Sequence, residues 1–262
     1  MAEVSSKEYG KKVFFLNPPS VIKDEMVKKL IENEYEVYLL QDHRKALAIC
    51  KIFPDSIVFI NIDQNLKDSR WENWEEYIKN VMRDDKTKDV RIGILSYESD
   101  KELIEKYLME IMVPCGFVRL SLGLKESTSI IMKALDANEA KSRRKYVRIR
   151  CVHPIRAVIS FQKDNQTYSG KITDISSFGM SFVLDGGSAS LLQNKEYIRD
   201  IQIRLQGKLS KVDGHVIGRR EERQTVFVVI FGKDTRENGV ERIHEFIYDC
   251  LQNEMDKRLK GI

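Results

Sequence analysis

The sequence predicts two domains of different class: an N-terminal α/β domain on a five-stranded parallel sheet, and a C-terminal six-stranded antiparallel β-barrel followed by one helix. Three observations predict this. Short apolar runs alternate with helical periodicity up to about residue 140; beyond it, β-branched and aromatic runs follow one another with only turn signals between them. The charge changes at the same place. Residues 1–140 carry 21 basic and 25 acidic side chains, whereas 141–262 carry 23 and 15, so a net charge of +4 conceals halves of −4 and +8. A chain of 262 residues, 42% of them hydrophobic, is also long enough for two cores. The division is 1–140 for the α/β domain, 141–150 for a basic linker and 151–262 for the barrel with its helix.

In the first half, the apolar run within 12–17 is closed by Pro18-Pro19, and Val21, Ile22, Met26, Val27, Leu30 and Ile31 then recur at helical spacing. A strand is predicted over 35–40, a helix over 43–53 and a buried strand over 56–62. A helix over 71–82 carries Trp71 and Trp74, and a strand follows over 90–95. A helix over 101–112, a short strand over 116–120 and a helix over 124–140 complete the half. The strands are almost continuously apolar, as expected of a parallel sheet covered by helices on both faces.

In the second half the predicted strands are 151–162, 166–173, 178–184, 197–206, 208–217 and 225–231. They are separated by turn signals such as Lys163-Asp164-Asn165, Asp185-Gly186-Gly187-Ser188 and Glu221-Glu222. Closing six short strands into a barrel removes their unpaired edges. Asn238, with Glu241 three residues on, reads as the N-cap of a terminal helix whose apolar stripe is Ile243, Phe246, Ile247, Cys250 and Leu251.

Several function classes are disfavoured. The longest apolar runs fall well short of the roughly 20 residues of a membrane-spanning helix, and residues 1–12 lack the apolar core of a secretory signal, so a cytoplasmic protein is expected. Cys50, Cys115, Cys151 and Cys250, and His43, His153, His215 and His244, are scattered without metal-ligand or disulfide spacing; they read as buried small groups and ordinary imidazoles. No nucleophile–base arrangement or phosphate-binding loop is visible, so an enzyme is not expected.

The five-fold strand–helix alternation of the first half resembles the receiver domain of two-component response regulators at the level of pattern. The resemblance implies acidic residues after the first strand, a phospho-accepting Asp after the third, a Thr or Ser after the fourth and a Lys after the fifth. Here Asn17-Pro18-Pro19 follows the first strand and Asn61 stands at the acceptor position with Asp63 two residues on. Ser96 fits the hydroxyl position, and Arg119 or Leu120 replaces the Lys. Without clustered carboxylates to hold a cation, this half reads as a receiver-like domain incompetent for phosphorylation, with phosphorylation at Asp63 as the alternative. Its acids and its Trp71 and Trp74 then offer a partner-docking surface, unless the tryptophans pack in the core.

Two polar segments in the second half carry chemistry. In Arg143-Arg144-x-x-x-Arg148, each guanidinium offers a planar fork for a phosphate or for the O6/N7 edge of guanine. Residues four apart on an extended segment point to one side about 13 Å apart, suited to gripping two parts of one ligand. In Asp174-Ile175-Ser176-Ser177-Phe178-Gly179, Asp174 can accept from N1–H and N2–H of guanine. Ser176 can donate to a phosphate, and Gly179 permits a backbone closed to other residues. Taken singly these are a solvated linker and a serine-capped turn. Together, in this order and followed by barrel strands and a helix, they resemble the PilZ domain, a receptor for cyclic di-GMP, over residues 141–255.

That resemblance implies cyclic di-GMP as the ligand, with Arg144, Arg148, Asp174 and Ser176 in contact with it and Gly179 shaping the turn. Arg143 either stacks on a second ligand molecule or is surface charge. It further implies a bacterial, non-catalytic receptor acting through an unknown protein partner on motility, adhesion or virulence; because the Arg pair sits at the domain boundary, the ligand is expected to order the linker and reorient the two domains. Two other readings stay open: an interaction scaffold that no longer binds ligand, and a nucleic-acid-binding protein that uses the basic half.

Overall fold

The computed structural model describes residues 10–20, 22–66, 73–141, 146–151, 157–186, 190–221, 224–232 and 237–261. By contact density the chain falls into two compact units, Met1–Lys145 with Leu251–Ile262, and Tyr146–Cys250. Trp71, Arg143 and Arg144 lie outside the described residues, as does the start of the strand expected from residue 151.

The first unit contains five parallel strands, β1 (Val13–Leu16), β2 (Val37–Leu40), β3 (Ile57–Asn61), β4 (Arg91–Ser96) and β5 (Phe117–Arg119), in the order β2-β1-β3-β4-β5. Every residue of β1 and β3 is buried, which is why their sequences are apolar throughout instead of alternating. Phe59 lies in register with Gly93 on β4, and a Cβ at Gly93 would sit 2.5 Å from its ring; the absent side chain makes room for the aromatic core. The helices are α1 (Val27–Glu32), α2 (His43–Ile52), α3 (Trp74–Arg83), α4 (Lys101–Glu105) and α5 (Leu124–Ala137). Asp42 and Asn73 cap α2 and α3 by accepting from the N–H groups of Arg44 (2.8 Å) and Glu76 (3.0 Å).

Three elements depart from the sequence expectation. The expected first helix opens with a π-helical turn over Ile22–Met26, and the helix expected over 101–112 is α-helical only to Glu105 before a π-helical turn over Lys106–Glu110. The helix expected to reach residue 140 stops at Ala137, where the Asn138 amide donates to Ala134 O (2.7 Å) and Glu139 turns the chain at φ 53°. Trp74, offered as surface, is buried: its indole N–H donates to Gln64 O and its ring packs edge-on against Tyr77 and His43.

The second unit is the closed six-stranded antiparallel barrel: β7 (Ala157–Lys163), β8 (Gln166–Ser176), β9 (Gly179–Leu184), β10 (Tyr197–Leu205), β11 (Lys208–Glu221) and β12 (Thr225–Phe231). They run in the order β8-β7-β10-β11-β12-β9, and pairing of β8 with β9 closes the ring. Two features escape the sequence reading. A short strand β6 (Arg148–Arg150) pairs antiparallel with the end of β8, and β11 continues four residues beyond Ile217, to Glu221. Ile159, Phe161, Ile172, Phe182, Ile201, Ile203, Phe227 and Val229 belong to the core.

The last helix, α6, runs Glu237–Lys260, so Asn238 is its second residue and not the N-cap. Ile243, Phe246, Ile247, Cys250 and Leu251 are all buried, as the apolar stripe requires. Within the first unit, Gln252 does for edge strand β2 what a neighbouring strand would do. Its carbonyl oxygen accepts from Leu39 N–H (2.9 Å) and its amide donates to Leu39 O (3.0 Å), pairing both backbone groups of an otherwise open edge. Gln252→Ala is therefore expected to destabilise the first unit by about 1–2 kcal/mol, seen as a lower urea midpoint in the full chain; an unchanged midpoint would contradict the edge-capping role.

Candidate functional site

The site is built where β6 meets β8. The register sets Arg148 opposite Ser176, Ile149 opposite Ile175 and Arg150 opposite Asp174. Because Ile149 is buried while Arg148 and Arg150 are exposed, the alternation of the strand turns both guanidinium-bearing residues outward. Arg148 Nη1 lies 3.3 Å from Asp174 Oδ1, with the Asp174 side chain 14% exposed and that of Arg148 53%. Of the two sequence motifs, the second Arg of R-x-x-x-R and the Asp of D-x-S-x-x-G are thus in direct contact.

The rest of D-x-S-x-x-G forms the turn between β8 and β9. The Ser176 hydroxyl is buried; it donates to Gly179 O (3.1 Å) and accepts from the N–H groups of Phe178 (3.3 Å) and Gly179 (3.2 Å). In this structure the Ser176 proton is directed into the turn, which holds the loop in shape. Gly179 requires a correction. It does not adopt the left-handed backbone expected of it; its own strand lies so close to β12 that a Cβ would collide with the carbonyl oxygen of Val229 and approach Ile230 Cα to 3.1 Å. Phe178 O accepts from Phe231 N–H (2.8 Å), tying the loop to the end of β12.

A second link between the motifs is aromatic. Tyr146, inside R-x-x-x-R, stacks on Phe178, inside D-x-S-x-x-G, with ring centroids 4.5 Å apart and planes 5° from parallel. Phe178 remains 43% exposed. Tyr146, two residues before Arg148, is thereby joined to the β8–β9 loop.

Sequence reasoning missed Arg220. Its Nη2 lies 3.2 Å from Ser181 Oγ and 3.7 Å from Asp174 Oδ2, so the two carboxylate oxygens face different guanidinium groups. The signal was the charged pair Arg219-Arg220, beyond the strand expected to end at 217; the longer β11–β12 pairing, with Arg220 opposite Val226, carries it onto the sheet. Arg148 and Arg220 thus face Asp174 from two different strands, and Arg150 lies opposite it in the β6–β8 register.

In the first unit, the receiver-like positions form an internal network. Asn61 is buried at the end of β3; its amide donates to Asn17 O (2.9 Å) and its carbonyl oxygen accepts from Asp63 N–H (3.1 Å). The Asp63 carboxylate accepts from the Ser96 hydroxyl and from Tyr97 N–H (2.9 Å). Arg119, at the position of the expected Lys, is exposed at the end of β5. Burial pushes the thiols of Cys50, Cys115 and Cys151 up to about 12 and that of Cys250 to about 11, as expected of packing residues. Among the described residues no cluster of His, Cys, Asp and Glu is grouped to hold a metal, and no helix is long and apolar enough to cross a membrane.

Residues 142–249 match the family model of the PilZ domain. No curated protein matches the chain. Among solved structures the chain is similar to the PilZ domain of YcgR from Escherichia coli with c-di-GMP, at 21% identity over 46% of this chain and 100% of that one, with a TM-score of 0.38. It is similar to the K. pneumonia MrkH–c-di-GMP complex, at 16% identity over 45% of this chain and 57% of that one, TM-score 0.40. A chemotaxis response regulator of Vibrio cholerae is matched at 19% identity over 49% of this chain and 98% of that one, TM-score 0.39. The chain spans all of the isolated YcgR domain but only about half of the longer YcgR chain, 52%.

Proposed function

With residues 142–249 matched by the PilZ model as the premise, we propose that this protein is a cyclic di-GMP receptor and not an enzyme. The observation that carries the reading is the Arg148–Asp174 pair beside the Ser176-capped turn, which places a guanidinium and a carboxylate acceptor on one face. Arg144 and Arg148 bind phosphate and a guanine edge. Asp174 accepts from N1–H and N2–H of guanine, Ser176 and Gly179 shape the loop, and Ser176 also reaches phosphate by rotating its hydroxyl. Arg143 joins the ligand set if a second, stacked molecule binds; a stoichiometry of one per chain removes that role.

The output follows from where the basic segment lies in the chain. Residues 141–150 connect the domain of 1–140 to that of 151–262, so a ligand held by both the segment and the barrel restricts the segment and changes the arrangement of the two domains. The receiver-like half is a phosphorylation-incompetent module that docks a cytoplasmic protein partner, with an output of the motility, adhesion or virulence kind. Small-angle scattering of the full chain at saturating cyclic di-GMP is expected to differ from that of the free protein. Tight binding with superimposable curves would exclude the rearrangement.

A further inference from the structure

Arg220, which neither motif contains, reaches Asp174 from within the barrel. It sits near the end of β11, opposite Val226 on β12, which is itself opposite Val183 on β9; Ser181 on β9 is in turn opposite Asp174 on β8. The side chain therefore reaches past β12 to Ser181 on β9 and Asp174 on β8. It is held there by the buried Ser181 hydroxyl, and from that anchor its charge faces Asp174 Oδ2 while Arg148 faces Oδ1. The two guanidinium groups differ in what surrounds them in sequence. Arg148 belongs to the basic segment that enters the barrel, and Arg220 to the β11–β12 pairing of the barrel itself.

The Watson–Crick edge of guanine presents two parallel donors, N1–H and N2–H, and a carboxylate matches it only when both oxygens lie in the plane of the base. Adenine presents an acceptor at N1, which a carboxylate repels. Discrimination between the two purines thus depends on the carboxylate being fixed in orientation. A half-buried carboxylate that gives up one cation to the ligand keeps that orientation only if a second partner holds it.

Resting on the cyclic di-GMP reading above, we infer that Arg220 is the positioning residue that sets guanine selectivity. It stays on Asp174 Oδ2 and Ser181 when Arg148 turns to the ligand, keeping the carboxylate aligned with the base. Lys replaces it only in part, because its ammonium sits on a flexible stem and lacks the fixed donor directions with which Arg220 Nη2 faces both the hydroxyl and the carboxylate.

The test is calorimetric titration of cyclic di-GMP and cyclic di-AMP into the full-length wild type, Arg220→Gln, Arg220→Lys and Ser181→Ala, with melting temperatures recorded alongside. Arg220→Gln is expected to weaken cyclic di-GMP about tenfold, the size of one charge-assisted hydrogen bond, and to leave cyclic di-AMP unchanged, so that selectivity falls by the same factor. Arg220→Lys recovers part of that selectivity, and Ser181→Ala, which loosens the anchor, loses a smaller part. Equal weakening of both ligands by Arg220→Gln would overturn the inference in favour of a direct phosphate contact, and unchanged binding of both would overturn it outright. No binding by the wild type withdraws the receptor reading and this inference with it, whereas wild-type binding with unaltered selectivity in every variant withdraws this inference alone.

Discussion

Arg148→Ala is expected to bind cyclic di-GMP about a hundredfold more weakly than the wild type while melting within a few degrees of it. The loss combines two effects. The variant lacks the guanidinium that offers a bidentate, charge-assisted contact, worth about 1.5–3 kcal/mol, and it leaves Asp174, only 14% exposed, with one cation fewer. About 2.7 kcal/mol corresponds to the hundredfold. The fold is spared because Arg148 is half exposed and pairs with β8 through its backbone, which Ala retains. Parallel titrations and thermal melts check this. A variant that binds as tightly as the wild type would remove Arg148 from the site, and one that fails to fold would make the residue structural.

Gly179→Val is expected to have the largest effect on stability, about 3 kcal/mol or more, with loss of binding as a consequence. The obstacle to a side chain is backbone. Gly179 pairs with Ile230, and the atoms a Cβ would meet are Val229 O and Ile230 Cα, which cannot move without opening the β9–β12 pairing that completes the barrel. Gly186 is the contrast. It has φ +75° and open space around it, so Gly186→Ala carries only the left-handed backbone cost, about 1 kcal/mol. Thermal or urea denaturation of the two variants compares crowding with strain directly; equal, small losses would show that β9 and β12 can separate at little cost.

The residues explain which parts of this structure were legible in the sequence. The parallel sheet was legible because β1 and β3 are buried on both faces and so read as unbroken apolar runs, and the barrel because its strands are rich in β-branched and aromatic residues and are divided by turn residues. Helix ends were less so. No local signal marks where residues 106–110 leave α-helical geometry, and Asn138 serves the helix end through its side chain. At the candidate site, Arg148 and Asp174 were singled out because motif spacing is a property of the chain. Arg220 was not, because it comes to Asp174 only through the pairing of β11 with β12, β12 with β9 and β9 with β8. Gly179 was identified with the wrong reason for the same cause: its neighbour is a strand some 50 residues away, and no local pattern encodes that approach. Trp74 was left open, since an aromatic at helical spacing reads as surface or core until its neighbours Tyr77 and His43 are placed, and the structure puts it in the core.

The most direct measurement is calorimetric titration of the full-length protein with cyclic di-GMP, with GTP and a short single-stranded oligonucleotide as competitors, at low and moderate salt. The receptor account predicts saturable binding of cyclic di-GMP at one or two molecules per chain, undisplaced by either competitor and only modestly weakened by salt. Binding of the oligonucleotide with a steep salt dependence, and none of cyclic di-GMP, would contradict it and assign the basic half to nucleic acid.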